Sequence, residues 1–375
     1  MGVISRRVLI WRWGWLGGSE TFIRNQIANF NDWEAIPVGA VKIDSDVSSS
    51  GDRILYSASK LDSLRKRILQ YFGLSSRLAE VIRETRPSII HAHFAYDAAR
   101  VSRAARKLGI PLVVTLHGSD VSTHPWGRGI RARSKRRRLK TMFNRASSVI
   151  AVSEFIKEYA LRLGASEGKI TIIPTGIPIS DITSGDDNSI EWDVVYVGRL
   201  EETKGVQDLF YAVSQLERDI KIIVVGDGSY RKSLEMLAEE LNLTVNFVGF
   251  QPPESVLHFI CRSQVFCGPS RRPEGLSMVS IEAALCSLPV VSYDHGGVRE
   301  VVENGVTGLL VPPFEVGALG DAIQRLLDDQ ELRKTMGSAS RRLALEQFDV
   351  RLRSAEVEAL YERVVRGQGA RPREN

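Results

Sequence analysis

Short apolar runs alternate with longer amphipathic stretches along the whole chain. The runs in the first half are RVLIW, PSIIHAHF, PLVVTLHG, SSVIAVS and KITIIPTG, and those in the second half are DVVYVGRL, IKIIVVGDG, TVNFVGF, QVFCGPS, PVVSYDHGG and GLLVPP. Most are followed by Gly, Ser or His and then by a helical pattern, which is typical of buried parallel strands in β-α units. The pattern therefore predicts an α/β protein.

An interruption in this alternation of apolar and amphipathic segments predicts two domains. The chain has 375 residues, which is more than one hydrophobic core usually holds. Residues 176–192, GIPISDITSGDDNSIEW, are rich in Ser, Asp and Gly and show no periodicity, as in a linker. We predict a Rossmann-like, doubly wound parallel-sheet domain over residues 1–180, a linker over 181–192 and a second such domain over 193–348. A C-terminal helix within 349–375 then leads into a disordered tail beyond about residue 366.

Composition and charge exclude several classes of protein. Apolar residues make up 43% of the chain and charged residues 25%, as in an ordinary globular protein. The net charge of +5 suits anionic ligands, but no nucleic-acid-binding module is present. Three cysteines, Cys261, Cys267 and Cys286, form no C-x-x-C pair and predict reduced thiols in the cytoplasm. No apolar run reaches a signal-peptide core or a spanning helix.

The loop after the first predicted strand carries adjacent glycines, Gly17 and Gly18, ahead of a predicted helix. Glycines allow close approach of the backbone to a ligand, and the N–H groups at a helix start favour an anion. A simple tight turn explains the pair equally well. Trp11, Trp13 and Trp15 crowd the same region and either line a ligand site or pack beneath it.

Two cations follow the first strand of the second predicted domain. In YVGRLEETKG, Arg199 comes just past the strand and Lys204 ends a polar turn. On the carboxyl edge of a parallel sheet they can hold the two phosphates of a diphosphate. The competing interpretation is a solvated ion cluster with Glu201 and Glu202.

The segment RRPEGLSMVSIEAAL places two glutamates eight positions apart, one in a turn and one in an apolar helix. Glu274 in the turn is suited to accept hydrogen bonds from sugar hydroxyls, and Glu282 in the helix is suited to hold ribose hydroxyls. The backbone N–H groups at the helix start are additional donors; they belong to Gly275, Leu276, Ser277 and Met278. Favourable placement of acids near a helix dipole is the alternative explanation.

Taken together, these segments resemble a known family. PSRRPEGLSMVSIEAALCSLPVVSYDHGGVREVVENGVTGLLVPP, VGRLEETKG, LGGSETFIRNQ and IIHAHFAYDAARVSRAARKLGIPLVVTLHGSD occur within residues 7–330. They are similar to the motifs of the family 4 retaining glycosyltransferases of the GT-B fold, especially enzymes that build exopolysaccharide, capsule or lipopolysaccharide. The fold implied is two Rossmann-like domains facing each other across a cleft, with the C-terminal helix packing back on the first domain.

The resemblance implies transfer of a sugar from a UDP- or GDP-sugar to a saccharide or lipid-linked acceptor, with retention of configuration. Arg199 and Lys204, with Gly17 and Gly18, then bind the diphosphate, Glu274 and the following amides bind the sugar, and Glu282 binds the ribose. His117 is matched to the histidine that contacts the sugar near the reacting carbon. The implied catalytic residues are His117, Glu274, Arg199 and Lys204. No cofactor and no metal is expected, because the two cations can replace a metal at the diphosphate.

Gly-Leu-Ser follows Glu274 where many members of the family have Gly-Phe-Gly, which leaves the donor sugar open. His91 and His93 share a strand face without a third zinc ligand, so a structural or substrate-contacting role is expected. Asp44 and Asp46 form an Asp-x-Asp pattern in a Ser-rich stretch, which indicates surface rather than a metal site.

A basic run occupies residues 128–140, RGIRARSKRRRLK, with eight cations and no acid. With Arg65, Lys66 and Arg67 it is suited to an anionic membrane surface, where a peripheral enzyme meets a lipid-linked acceptor. RNA binding is the rival interpretation, and no aromatic-interleaved module supports it. Two other functions remain open at this stage: a catalytically silent nucleotide-sugar-binding protein, and a nucleotide-sugar epimerase of the same fold.

Overall fold

A computed structural model describes residues 6–18, 20–45, 47–179 and 190–369. The chain divides into two compact units. Unit 1 comprises Met1–Gly176 and Val350–Asn375, and unit 2 comprises Ile177–Asp349. Residues 181–189 of the predicted linker and residues 370–375 of the predicted tail lie outside the described residues.

Strands and helices alternate through the described ranges. The strands are β1 (Arg7–Trp15), β2 (Glu34–Lys42), β3 (Arg53–Tyr56), β4 (Ile89–His93), β5 (Leu112–Leu116), β6 (Ser148–Ala151), β7 (Ile170–Ile172), β8 (Trp192–Val197), β9 (Lys221–Val225), β10 (Thr244–Gly249), β11 (Ser263–Gly268), β12 (Val290–Tyr293) and β13 (Gly308–Val311).

The α-helices follow most of these strands and cover the sheets. They are α1 (Thr21–Ala28), α2 (Lys60–Phe72), α3 (Ser76–Thr85), α4 (Ala95–Lys107), α5 (Ser119–Ser122), α6 (Ile130–Arg145), α7 (Glu154–Arg162), α8 (Val206–Val213), α9 (Arg231–Glu240), α10 (Pro253–Cys261), α11 (Met278–Leu285), α12 (Val316–Asp328), α13 (Gln330–Gln347) and α14 (Val350–Gly369).

Each unit is built on one parallel sheet, which confirms the predicted fold class. The strand order is β3-β2-β1-β4-β5-β6-β7 in unit 1 and β10-β9-β8-β11-β12-β13 in unit 2. The described pairings are parallel, for example Val8 with Ile89 in unit 1 and Val194 with Ile222 in unit 2. In both sheets the first strand lies in the interior, so the direction of winding reverses between β1 and β4 and between β8 and β11. Such switch points are where doubly wound sheets bind ligands, at the carboxyl ends of the strands.

The apolar strands are buried because helices cover both faces of each sheet. In unit 2, Leu209 and Phe210 of α8 and Ile323 of α12 pack on the sheet and are fully buried. In unit 1, Trp11 and Trp15 are fully buried, so these two tryptophans pack beneath the surface rather than line a ligand site.

The last helix, α14, packs on unit 1. The carboxylate of Glu358 accepts the backbone N–H groups of Asp32 and Trp33 at 2.8 and 2.9 Å, and the Ser354 hydroxyl donates to the carbonyl of Gln26 at 3.1 Å. Tyr361 of the same helix is fully buried in the unit 1 core. The C-terminal residues therefore complete the domain that the N-terminal residues begin.

Candidate functional site

A pocket opens at the carboxyl edge of the unit 2 sheet, at the switch point between β8 and β11. It holds about 540 Å³, including its open mouth. Strand ends, two loops and a helix start supply its walls. The lining residues are Tyr196, Val197, Gly198, Lys204, Phe266, Gly268, Ser270, Arg272, Glu274, Ser277, Val279, Ser292, Tyr293, His295 and Val298. Three predicted site residues, Lys204, Glu274 and Ser277, therefore meet around one cavity.

Lys204 and Glu274 form an ion pair on this wall. Their Nζ and Oε1 atoms are 2.8 Å apart, and 25% and 32% of the two side chains are exposed. Lys204 ends a one-turn 3-10 helix, and Gly205 follows it with a φ of 77°. A Cβ added at Gly205 would lie 1.8 Å from the carbonyl oxygen of Pro269. Glycine is therefore what allows the turn of Lys204 to approach the segment of Glu274.

The loop that carries Glu274 is anchored on one side by a buried carboxylate. Asp208 of α8 accepts hydrogen bonds from Arg271 Nε at 2.9 Å and from the Tyr293 hydroxyl at 2.9 Å. The backbone N–H of Arg271 also donates to the carbonyl of Thr203 at 2.9 Å. Burial and the nearby Asp208 raise the pKa of Tyr293, so its hydroxyl stays a donor. The loop is held in one position before any ligand binds.

On the other side, the loop after β12 approaches the same backbone. The Gly297 N–H donates to the Glu274 carbonyl at 2.9 Å. A Cβ added at Gly297 would lie 2.1 Å from the Gly275 carbonyl oxygen, so a larger residue must displace one loop or the other. His295 supports this contact through Nε2, which is 2.7 Å from the Ser270 carbonyl oxygen.

Helix α11 begins beside the pocket. Ser277 occupies its N-cap position, and its hydroxyl is 2.7 Å from that of Ser280. The first N–H groups of an α-helix lack partners within the helix and give this wall a positive character. Of the four residues whose amides were predicted as donors, Ser277 lines the pocket, whereas Gly275, Leu276 and Met278 do not. Leu276 instead packs inward with 9% of its surface exposed.

Glu282 lies in the second turn of α11 and is not among the pocket-lining residues. The residue reaches the surface in part, but packing around its carboxyl raises the pKa to about 7 by desolvation. A carboxyl in this state is poised between its neutral and ionised forms near neutral pH.

Arg199 follows β8 and Gly198 at the rim, outside the pocket lining. Its guanidinium pairs with Glu201 at 2.7 Å, and 72% of the side chain is exposed. The solvated-cluster interpretation therefore describes Arg199, whereas Lys204 pairs with Glu274 and not with Glu201 or Glu202.

Several residues that line the pocket were not predicted as site residues from the sequence. Tyr196, Ser292 and His295 lie at or just after strand ends, which is the signal that could have found them. Arg272 belongs to the RRP turn and is exposed at the pocket, so it adds a positive charge beside Lys204.

In unit 1, Gly17 and Gly18 follow β1 and precede α1. A Cβ added at either glycine would meet no atom within 4 Å, so packing within the protein does not require glycine here. The Gly17 N–H donates to Glu20 Oε2 at 3.3 Å. Glu20 also pairs with Arg12, which in turn contacts the buried carboxylate of Asp97. The glycine loop thus lies on a fixed ion network.

His117 follows β5 and is partly exposed. Its Nε2 atom is 3.0 Å from His93 Nδ1, and its ring lies between those of Phe22 and Phe94, with centroids 4.7 and 4.6 Å away. Desolvation, together with the charge of Arg12, lowers the pKa of His117 to about 3. The imidazole is therefore neutral at physiological pH.

Both ring nitrogens of His91 have partners within the core, whereas His93 contacts His117. His91 is fully buried, with Nδ1 2.5 Å from the Tyr361 hydroxyl and Nε2 2.7 Å from Thr115 Oγ1. Burial lowers its pKa to about 3. In the part of the chain that the structure describes, no group of three His, Cys, Asp or Glu side chains could hold a metal ion.

The basic run 128–140 lies in α6 and the turn before it. Most of its cations are exposed, but Arg136 Nη1 donates to the carbonyl of Pro125 at 2.8 Å and Arg138 Nη2 to that of Gln70 at 2.5 Å. Within residues 6–18, 20–45, 47–179 and 190–369, no helix is long and apolar enough to cross a bilayer.

Comparison with known proteins identifies the family. Residues 17–181 match the model described as Glycosyltransferase Family 4, and residues 184–343 match that of Glycosyl transferases group 1. A Bacillus subtilis protein, named provisionally as the teichuronic acid biosynthesis glycosyltransferase TuaC, is 31% identical over 71% of this chain and 68% of its own. The chain therefore belongs to the group 1 glycosyltransferases.

Two further likenesses differ in extent. Alpha-D-kanosaminyltransferase of Streptomyces kanamyceticus is 34% identical, and the match covers 48% of this chain and 47% of that protein, about half of each. The crystal structure of Anabaena Alr3699/HepE with UDP-glucose superimposes with a TM-score of 0.80 at 22% identity, over 95% of this chain and 99% of that one. This agreement shows that the fold is GT-B.

Proposed function

We propose that the protein is a retaining glycosyltransferase that moves a sugar from a UDP- or GDP-sugar to a saccharide or lipid-linked acceptor in cell-surface polysaccharide biosynthesis. The observation that carries the proposal is the pocket at the β8/β11 switch point, where Lys204, Glu274 and the start of α11 converge. The UDP-glucose complex of Anabaena HepE and the role named for TuaC support the donor class and the pathway.

Lys204 can bind the nucleotide-sugar donor and keep its hydrogen bond to Glu274. An ammonium group has three donors, and one of them contacts Glu274. The remaining two are available for diphosphate oxygens. Glu274 then offers its second carboxylate oxygen to sugar hydroxyls, and the first-turn amides of α11 add positive potential. Arg199 belongs to an exposed ion pair with Glu201, and we expect it to exchange this partner for the diphosphate.

In the reaction, the bond between the anomeric carbon and the diphosphate oxygen breaks, and a bond to the acceptor oxygen forms on the same face. The acceptor proton passes to the leaving phosphate. Lys204, Arg199 and the Gly17 and Gly18 amides stabilise the charge that develops on that phosphate. His117, neutral because of its lowered pKa, contributes hydrogen bonding to the sugar rather than charge. We assign no covalent carboxylate nucleophile; in this proposal the second carboxylate oxygen of Glu274 accepts hydrogen bonds from sugar hydroxyls.

We further propose that the reaction needs no metal, because Lys204 and Arg272 line the pocket, Arg199 follows β8 at its rim, and such positive charge can substitute for a divalent ion. Unchanged turnover after exhaustive chelation is the expected result, and recovery of lost activity by Mg²⁺ or Mn²⁺ would contradict it. We also propose that the enzyme acts in the cytoplasm, on the inner face of the cell membrane, where it would meet cytoplasmic nucleotide sugars.

The first test is nucleotide binding. Thermal shift with UDP, GDP, ADP and CMP is measured on the wild type, Lys204→Ala and Glu282→Ala, with Lys232→Ala as control because Lys232 is an exposed lysine of the same unit. We expect one nucleotide to stabilise the wild type and the control, and its effect to fall in both site variants. Charge-assisted bonds of this kind contribute about 1.5–3 kcal/mol, so affinity should drop roughly 10- to 100-fold in Lys204→Ala.

Absence of any shift in folded wild-type protein would refute the donor site. Formation of a glycoside from the donor sugar separates a transferase from a silent binding protein, and release of an epimerised nucleotide sugar would identify an epimerase instead. The anomeric configuration of the product, read by proton NMR, decides between retention and inversion.

A further inference from the structure

Helix α2 of unit 1 presents a row of large apolar side chains to solvent. They recur at helical spacing along its 13 residues. The exposed fractions are 59% for Leu61, 58% for Leu64, 38% for Ile68, 68% for Tyr71 and 61% for Phe72. We call these five side chains the α2 ridge. A contiguous apolar surface of this kind on a soluble unit marks an interaction site.

The α2 ridge is one face of the helix. At about 100° per residue, the five positions fall within an arc of roughly 100°. Lys60 and Arg67 lie on one edge of that arc and Arg65 on the other, and no acidic residue of α2 lies within it. An apolar stripe bordered by cations on both sides is the pattern of helices that lie in the plane of a membrane interface.

The ridge is not the face by which α2 joins its own domain. Leu69 and Asp62 point inward and are buried, and Asp62 accepts a hydrogen bond from Arg77 at 3.0 Å. Arg138 of α6 donates to the Gln70 carbonyl at 2.5 Å. The helix is thus fixed through its opposite side, and the ridge is left without a partner in the described structure.

We propose that α2 docks the protein on an anionic lipid surface, with the α2 ridge entering the boundary between headgroups and acyl chains. Lys60, Arg65 and Arg67 then meet lipid phosphates, and their aliphatic stems cover the edge of the apolar stripe. The basic face of α6 adds long-range attraction. This inference goes beyond the proposed reaction and does not depend on it.

Charge argues for lipid rather than a second copy of the chain. In a two-fold contact the same patch meets itself, so the cations that border one ridge would face the cations of the other. Like charges brought together across an interface oppose association. On an anionic lipid surface, the same cations are attracted to the lipid phosphates instead.

The α2 ridge is a better target for mutation than the basic residues of α6. Arg136 and Arg138 hold backbone carbonyls within unit 1, so neutralising them disturbs packing as well as charge. Leu64 and Ile68 project into solvent, and glutamate is a good helix former. A Leu64→Glu/Ile68→Glu variant therefore removes the apolar face without opening the core.

The test is co-sedimentation with vesicles of phosphatidylcholine alone and of equimolar phosphatidylcholine and phosphatidylglycerol. We expect wild-type protein to bind the anionic vesicles and to bind the neutral ones far more weakly. Leu64→Glu/Ile68→Glu should lose at least about tenfold in partitioning, because burial of each side chain is lost. Lys60→Gln/Arg67→Gln should lose about fivefold per cation on anionic vesicles alone.

Met236→Glu is the matched control, since Met236 is 69% exposed on α9 of unit 2. Far-ultraviolet circular dichroism and thermal midpoints verify that each variant is folded. Equal vesicle binding by wild type and Leu64→Glu/Ile68→Glu would overturn the proposal. So would a concentration-dependent dimer in the wild type that this variant abolishes while vesicle binding stays unchanged, because the ridge would then pair with a second copy.

Discussion

Single side chains in the proposed donor pocket have two roles. Lys204 pairs with Glu274 and, in the proposed complex, also binds the diphosphate. Both side chains are partly exposed, so the pair itself adds at most about 1 kcal/mol to stability. The ion pair instead positions its two side chains: Lys204 is held where a phosphate would bind, and Glu274 is held where a sugar hydroxyl would bind. The sequence could propose this grouping because strand ends converge at one edge of a parallel sheet.

Residue pairing was less predictable. The sequence VGRLEETKG does not predict that Arg199 pairs with Glu201, or that Lys204 pairs with Glu274, 70 positions away. The choice depends on Gly205 and on the path of the loop after β11, which are tertiary features. The desolvation of Glu282 is likewise a property of its packed neighbours and not of its position in the motif.

Glu282 predicts a pH dependence of donor binding. The packed surroundings raise the pKa of its carboxyl from the ordinary 4.5 to about 7. Ribose hydroxyls donate to the ionised form, so affinity should increase as pH rises through 7. The gain between pH 6 and pH 8 approaches tenfold if only the ionised form binds. Calorimetric titration with a nucleoside diphosphate sugar is the measurement, because its phosphates are diesters and do not titrate in this range.

Glu282→Gln is the control for that experiment. Glutamine does not titrate, so its affinity should be lower and flat between pH 6 and pH 8. A variant that retains the wild-type pH profile would show that another group is responsible, and a flat wild-type profile would show that the carboxyl does not engage the ribose.

At the scale of elements, the candidate donor site is formed by loops that pack against one another. The loop after β11 carries Glu274, and the loops after β8 and β12 fix it through Gly205 and Gly297. Close contact between backbones is what requires glycine at these two positions. If Glu274 binds the sugar as proposed, a rigid loop reduces the entropy that is lost on binding.

Gly297→Ala tests this mechanism. The added Cβ would lie 2.1 Å from the Gly275 carbonyl oxygen, so the loop of Glu274 must shift. We expect at least a tenfold loss of donor affinity, on the order of 1.4 kcal/mol, measured by calorimetry. Gly317→Ala is the matched control, because a Cβ at Gly317 in the first turn of α12 meets nothing within 4 Å. Equal affinity in the two variants would mean that the loop contact does not position Glu274.

Two strands were not predicted from the sequence, for physical reasons. Strands β2 and β3 were absent from the predicted set, although β2 is nine residues long. Pro37 and Gly39 interrupt its apolar pattern, and both residues are depleted in strands. Strand β3 has four residues, of which only Leu55 and Tyr56 are buried, so it lacks the apolar run that indicates a buried strand. The interior strands β4 and β5 were recognised because each is an apolar run that is buried along its whole length.

At the scale of the whole molecule, the two ends of the chain meet in unit 1. Helix α14 returns after unit 2 and buries Tyr361 beside β4 and α1. Its hydroxyl is 2.5 Å from His91 Nδ1, and the His91 ring lies 4.5 Å from that of His93, which contacts His117. The last helix is therefore connected to the candidate site of the first domain through buried polar groups.

Tyr361→Phe removes this connection while preserving the shape of the ring. The change leaves His91 Nδ1 buried without its partner, which costs about 1–3 kcal/mol. Urea unfolding followed by tryptophan fluorescence is the measurement, because five of the six tryptophans (Trp11, Trp13, Trp15, Trp33 and Trp126) belong to unit 1. The unit 1 transition should shift to lower urea with an unchanged slope.

Tyr211→Phe serves as the control, since Tyr211 is 43% exposed on α8 of unit 2 and should leave the transition in place. If Tyr361→Phe also unfolds at the wild-type urea concentration, the Tyr361–His91 hydrogen bond contributes no net stability and α14 is held by its apolar contacts alone. If the shift appears together with a reduced transfer rate at low urea, where the variant is folded, then α14 supports the geometry of His117 as well as the stability of its domain.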